Sequence, residues 1–312
     1  MSTEFPIGGV CRLADRGVIR ASGADAASFL QSQLTNDVAS LGPGSARLAG
    51  FCSAKGRLQA SFVVWRPAAD EFLLSCPRDL LVPTLKRLTM FVLRAKCRLS
   101  DASDELAVFA IAGRAATAML DGVAVWQVRG RGATTVVRLP DAAGVERAWL
   151  VAAAGAEADV PAAAAMSIET WRWLEVESGI VTVEAATVDR FVPQMVNFEL
   201  VGGVDFQKGC YPGQEVVARS QYRGTTKRRT FLFDCDAVPL AGQDVFASGH
   251  ANEPAGTVAN AAPHPLHAGG SALVEVRLAA ITDELRLGAA DGALLTRRAL
   301  PYSVPLDAAV AS

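Results

Sequence analysis

After Thr230 the chain breaks into short alternating runs at residues 230–235, 243–247, 256–260, 271–276 and 293–296, divided by Gly, Pro and Asn. A period of two with turn residues at each break suits strands that bury one face. Several such strands in sequence read as a small all-β domain. This texture predicts an all-β C-terminal domain at residues 229–312, behind a mixed α+β region at residues 1–228.

Upstream, residues 17–21 alternate like a strand, and Ser22 is placed to cap a helix over residues 24–33 with Phe29, Leu30 and Leu34 on one face. Residues 45–52 and 57–66 read as strands joined by the tight turn Ser53-Ala54-Lys55-Gly56, and residues 71–76 add another. Leu80, Leu81, Leu85, Leu88 and Val92 have helical spacing and predict a helix over 79–93, with Pro83 in its tolerant first turns. Strands are expected at 94–99 and 106–112. The alanine-rich stretch 113–165 should hold a short helix and strands at 123–128, 134–139 and 148–152. A helix over 167–178 is closed by Gly179, and residues 193–200 read as irregular.

Bulk properties narrow the function. The 312 residues carry a formal net charge of -2, which gives no general attraction to nucleic acid or to an anionic membrane. No apolar run approaches the ~18 residues of a membrane span. Residues 1–6 lack the basic and apolar regions of a secretory signal, so the cytoplasm is the expected compartment. The six cysteines are widely separated, with no C-x-x-C pair, which argues against a zinc ribbon, a thioredoxin motif or a four-cysteine cluster cradle. Cys76, Cys97 and Cys235 lie in apolar runs and read as small buried hydrophobes. The three histidines, His250, His264 and His267, all fall in the β domain, leaving no base expected beside a thiol elsewhere. Nothing matches H-E-x-x-H, a P-loop or a dinucleotide fingerprint.

One thiol stands apart. Cys210 lies in Lys208-Gly209-Cys210-Tyr211-Pro212-Gly213-Gln214-Glu215, and Val216-Val217-Ala218-Arg219 continues as a helix to about Tyr222, closed by Gly224. Pro212 suits a first helical position and Glu215 a first turn, so Cys210 should sit just before a helix N-terminus. That place, with Lys208 near, favours a thiolate. Gly209 and Gly213 allow a tight bend or a close approach to a ligand. Lys208, Arg219, Arg223, Lys227, Arg228 and Arg229 form a basic neighbourhood: a solvated face, or a site for an anionic tail or a partner. Trp171 and Trp173 flank Arg172 on a helix that also carries Glu175 and Glu177. Core packing is their plain reading; a tryptophan beside a carboxylate can also hold a flat heterocycle.

Together, Pro193-Gln194, Asn197, the run from Gly202-Gly203-Val204-Asp205 through Arg219, Arg223-Gly224 and Lys227-Arg228 resemble the signature of the YgfZ family, folate-binding relatives of the glycine cleavage T-protein. Ser22-Gly23-Ala24-Asp25, Leu34-Thr35-Asn36-Asp37 and Lys55-Gly56-Arg57-Leu58 also fit the superfamily, so the likeness covers most of residues 17–230. The resemblance implies a T-protein-like α+β fold, with two interwoven lobes around a central cavity and a C-terminal β-barrel. It implies tetrahydrofolate or a related reduced folate as ligand, and a role in assembly, repair or maintenance of iron–sulfur clusters in client enzymes. Any effect on tRNA modification would be indirect. Cys210 would be the signature thiol, able as a thiolate to ligate the iron of a transient shared cluster, to accept a one-carbon unit or sulfur, or to sense oxidation. Trp171 and Glu177 match folate-binding positions; Lys208, Glu215 and Arg219 join them as candidate contacts. Expected partners are folate, iron–sulfur client enzymes and cluster-assembly proteins, without direct nucleic-acid or membrane binding. Two departures stand out. The stretch Leu58-Gln59-Ala60-Ser61-Phe62 lacks the acidic pair of the T-protein, which argues against aminomethyl transfer. Arg16 stands where some relatives carry an aromatic. The alternatives are a folate-dependent aminomethyl- or methyltransferase using Asp205 or Glu215, and a binding scaffold without thiol chemistry. The chain thus reads as no classical enzyme, or else as a folate-dependent one-carbon transferase.

Overall fold

The structure, a computed structural model, describes residues 7–156, 160, 162–222, 226–248 and 253–305. The chain divides into two compact units, one of Met1–Phe29, Val38–Arg47 and Val63–Trp171, the other of Leu30–Asp37, Leu48–Phe62 and Arg172–Ser312. In order, the elements begin with β1 (Gly9–Arg12), β2 (Arg16–Ser22), α1 (Ala26–Gln33), β3 (Ala46–Cys52), β4 (Leu58–Ala68) and β5 (Glu71–Pro77). Then come α2 (Arg78–Thr89), β6 (Arg98–Asp101), β7 (Leu106–Ala112), α3 (Arg114–Leu120), β8 (Val128–Arg131), β9 (Thr134–Ala142) and β10 (Val145–Ala153). α4 (Ile168–Glu177) and α5 (Gln214–Tyr222) precede β11 (Arg228–Cys235), β12 (Asp244–Ala247), β13 (Gly256–Pro263), β14 (Gly270–Arg277), β15 (Leu285–Leu287) and β16 (Leu294–Arg298).

In the first unit, one sheet has the order β1-β7-β10-β9-β8. Its antiparallel β7–β10 register places Phe109 against Leu150 and Ile111 against Ala148. Those residues join Leu120 of α3, Val123 and Val136 in one core, so alternate positions of each strand face the same helix. The same unit holds β2, β5 and β6, with β2 paired antiparallel to β5 and β6 on its two sides. α2 buries Leu80, Leu81, Thr84 and Leu88 and packs on β2, β5 and β6.

In the second unit, six strands close a barrel in the order β11-β14-β13-β12-β15-β16. Phe231, Phe233 and Cys235, two apart along β11, share its interior with Val245, Val258, Val274 and Leu285. Alternation legible in the sequence is thus the inward-facing row of each strand. The expected α+β architecture with a C-terminal β-barrel is what the chain adopts.

Local expectations differ at six points. Ser22 caps no helix: it ends β2, paired with Glu71 and Arg98, and Asp25 supplies the carbonyl that accepts the Phe29 N–H. α2 stops at Thr89 rather than running to residue 93, because bonding shifts to the tighter Phe91→Leu88 and Val92→Thr89 pattern and Leu93 turns left-handed (φ 44°). β6 starts at Arg98 and β8 at Val128, each displaced toward the C-terminus from the expected strand. Pro193–Val196 is a 3-10 turn, and β15 is too short to alternate visibly. Gly224, expected to close α5, and Arg223 and His250 lie outside the described residues.

Candidate functional site

The Cys210 loop is built by residues from four sequence regions, all in the second unit. Gly202-Gly203 is clamped first. The Thr35 hydroxyl donates to the Gly203 carbonyl (2.6 Å) and accepts from the Gly50 N–H (2.7 Å). The Asn36 amide donates to the carbonyls of Gly202 (2.6 Å) and Leu48 (2.7 Å). The Asp205 carboxylate then accepts the Gln207 N–H (2.7 Å) and the Lys208 N–H (3.2 Å), an Asx turn that folds the chain back.

Lys208 is buried, 8% exposed. Its ammonium donates to the carbonyls of Gln31 and Leu34, groups that the end of α1 leaves without intrahelical partners, and lies 5.1 Å from the Tyr211 ring centroid. The sequence presents this lysine as free for an anionic tail; the fold instead spends two of its three N–H groups on α1. Burial lowers its pKa to about 8, against the opposing fields of Asp37, Asp205 and the Cys210 sulfur. The unfolded chain therefore holds this proton more tightly than the native one. Between pH 8 and the ordinary lysine range near 10.5, stability should rise with pH, and Lys208→Met should remove that rise in urea melts.

α5 starts at Gln214, two residues later than Pro212 at a first helical position would require. Gly213, at φ 78°, supplies the carbonyl that accepts the Val216 and Val217 N–H groups. A Cβ on Gly213 would lie 2.6 Å from the backbone N and Cα of Gly56, and one on Gly56 would lie 2.8 Å from Cβ of Val216. The Lys55-Gly56 turn and the Pro212-Gly213 turn are therefore two halves of one backbone contact. Behind α5, the fully buried Gln194 donates to the Val217 carbonyl (2.8 Å), and its own carbonyl accepts from Arg229, which also pairs with Glu199.

These anchors hold the loop from below and leave Cys210 exposed, with no hydrogen bond among the described residues. Cys52, Cys76 and Cys235 are buried; burial pushes the Cys52 and Cys76 thiols up to about 12. Cys97, expected to be buried, is half-exposed. Glu215 and Arg219 are both exposed on α5, one turn apart on one face. The basic neighbourhood disperses: Lys208 caps α1, Arg228 pairs with Glu275 and Arg229 with Glu199, leaving Arg219 and Lys227 on the surface.

Trp171 and Glu177 both belong to α4. Trp171 is 1% exposed, with the Arg147 guanidinium 5.2 Å from its ring centroid and its Nε1 donor unpartnered. Glu177 is buried and accepts from Arg298 Nη1 at 2.7 Å. Burial raises its pKa, opposed by that arginine. Arg298 also reaches Asp234 (3.2 Å), and Asp234 accepts from Ser271, which accepts from Trp173 Nε1 (3.1 Å). Trp173 is therefore a core residue whose donor is satisfied. Arg147 and Arg298 are the neighbours of Trp171 and Glu177 that sequence reading missed. Each comes from a strand far along the chain, and nothing in its local sequence sets it apart from a surface arginine.

The fold of this chain, mixed helices and sheets ending in a closed barrel, is that of a glycine cleavage aminomethyltransferase. The aminomethyltransferase T of Bartonella henselae superposes with a TM-score of 0.75 over 95% of this chain and 86% of that one, at 16% identity, a likeness of fold alone. The GCVT N-terminal domain family matches residues 8–130. The tRNA-modifying protein YgfZ of Escherichia coli O157:H7 is 32% identical over 247 residues, 75% of this chain and 74% of the relative, and that of Shigella boydii serotype 4 is equally similar. The chain belongs to the YgfZ family.

Proposed function

We propose that this protein binds a reduced folate and acts in assembly, repair or maintenance of iron–sulfur clusters in client enzymes, with Cys210 as the working thiol and tRNA modification affected indirectly. The observation that carries the reading is the contrast within one loop. Asp205 and Lys208, with the Thr35 and Asn36 side chains that clamp the loop, are turned to backbone carbonyls and amides, while the cysteine is left exposed with no hydrogen bond among the described residues. A loop built only to pack would bury its sulfur, as this fold does with Cys52 and Cys76.

The names of the relatives supply the link to tRNA modification, and α4 supplies the folate contacts. The buried, unpartnered Trp171 Nε1 suits an acceptor on a bound heterocycle, and Glu177 is a carboxylate of the kind that pairs with ring N–H groups. With Lys208 committed to α1, Arg219 and Lys227 are the cations of this neighbourhood left among the described residues for an anionic tail. No group of three His, Cys, Asp or Glu among the described residues could hold a metal. One thiolate cannot retain a cluster as four cysteines do, so a cluster here is cargo completed by a client or a second chain. Nothing in this reading requires nucleic-acid contact. No helix among the described residues is long and apolar enough to cross a membrane, and the reading places the protein in the cytoplasm.

Alkylation of the native protein with and without tetrahydrofolate tests this. Cys210 should react first among the six cysteines, and saturating tetrahydrofolate should slow its labelling severalfold. If calorimetry detects no folate binding, or bound folate leaves the labelling rate unchanged, the reading fails.

A further inference from the structure

The first unit carries a surface that the Cys210 reading leaves unused. Residues 80–100 contain five cations, Lys86, Arg87, Arg94, Lys96 and Arg98, and no acid, in a chain whose net charge is -2. All five are exposed, and none pairs with a carboxylate among the described residues. On α2, Val82, Lys86 and Met90 fall four apart along the face opposite the buried Leu80, Leu81 and Leu88.

The turn that follows is ordered rather than loose: Phe91, Val92 and Ala95 donate to Leu88, Thr89 and Val92. It holds Leu93 in the left-handed region, φ 44°, and 88% exposed, beside Met90 at 58% and Val82 at 68%. Glycine or asparagine would take that conformation at less cost and without placing an aliphatic side chain in water. A strained, outward-pointing leucine between unpaired cations gains nothing within the chain; a contact with another molecule would repay it.

We propose that Lys86–Arg98 is a docking surface for an acidic partner protein, one that presents an apolar cleft rimmed by carboxylates. Leu93 and Met90 enter the cleft, and the cations meet the rim. Aliphatic anchors favour this occupant over single-stranded RNA, which uses aromatic platforms; here Phe91 is the one aromatic, and it is 40% exposed. An anionic membrane is disfavoured by the small apolar area and the chain's negative net charge.

The test uses the full chain and a fluorescent helical peptide with one face of Glu and one of Leu, followed by anisotropy. Polyglutamate, a single-stranded RNA oligonucleotide and phosphatidylglycerol vesicles are run beside it. The amphipathic peptide should bind, should weaken as salt rises, and should bind at least about tenfold tighter than polyglutamate. Met90→Ser/Leu93→Ser and, separately, Lys86→Glu/Arg87→Glu should each weaken it by about tenfold or more. These side chains are exposed, so thermal melts of the variants should match the wild type; if a double variant melts early, Leu93→Gln alone replaces it. No peptide binding, or binding untouched by both sets, overturns the proposal. So does RNA, vesicle or self-association that is tighter than the peptide and lost in the same variants.

Discussion

Cys210→Ala should leave the stability of the protein within about 0.5 kcal/mol of wild type and abolish its ability to restore iron–sulfur enzyme activity to cells that lack it. The first half follows from geometry. The side chain is exposed and unbonded, so truncation removes no packing and strands no polar partner. The second half follows from chemistry, because alanine cannot ligate iron, accept sulfur or a one-carbon unit, or form a thiolate. Cys210→Ser separates the rivals. A serine variant as active in cells as wild type would make the protein a scaffold. Folate-dependent one-carbon turnover that persists in Cys210→Ala would instead make it a transferase, and would assign the acid to another residue. Asp205 is poorly placed for that duty, since its carboxylate already accepts two backbone N–H groups; Glu215, exposed on the first turn of α5, is freer.

The loop itself was legible because each of its residues is of a type with few alternatives. Gly213 takes a left-handed φ, Asp205 makes an Asx turn, and the helix begins within two residues of Pro212. Barrel strands were legible for a similar reason: a strand with one face in the core must alternate. What sequence could not carry is pairing between distant positions when one partner is backbone. Lys208 reads as a free cation because its acceptors, the carbonyls of Gln31 and Leu34, exist in every residue and mark nothing. The cation over the Trp171 ring was equally unmarked, because Arg147 is 24 positions away on β10. The extra turn drawn onto α2 has the same origin. Val92 keeps helical spacing in sequence, but the hydrogen bonds have already shifted by one residue.

Two glycines of the same signature should behave in opposite ways. Gly213→Val should cost on the order of 3–5 kcal/mol, read as a fall in the urea midpoint at unchanged slope. A β-branched residue at φ 78° is strained, and its Cβ would sit 2.6 Å from the Gly56 backbone, which has no flexible side chain to move aside. The turn at residues 53–56 would have to shift, and the start of α5 with it. Gly209→Ala should be nearly neutral, within about 0.5 kcal/mol, because nothing lies within 4 Å of its Cβ position. That open space adjoins the thiol. A Gly209→Ala chain that melts like wild type yet labels more slowly at Cys210, or loses activity in cells, would show that glycine is there for the ligand's approach rather than for the fold. Equal losses of stability at the two positions would contradict the division of labour argued for this loop.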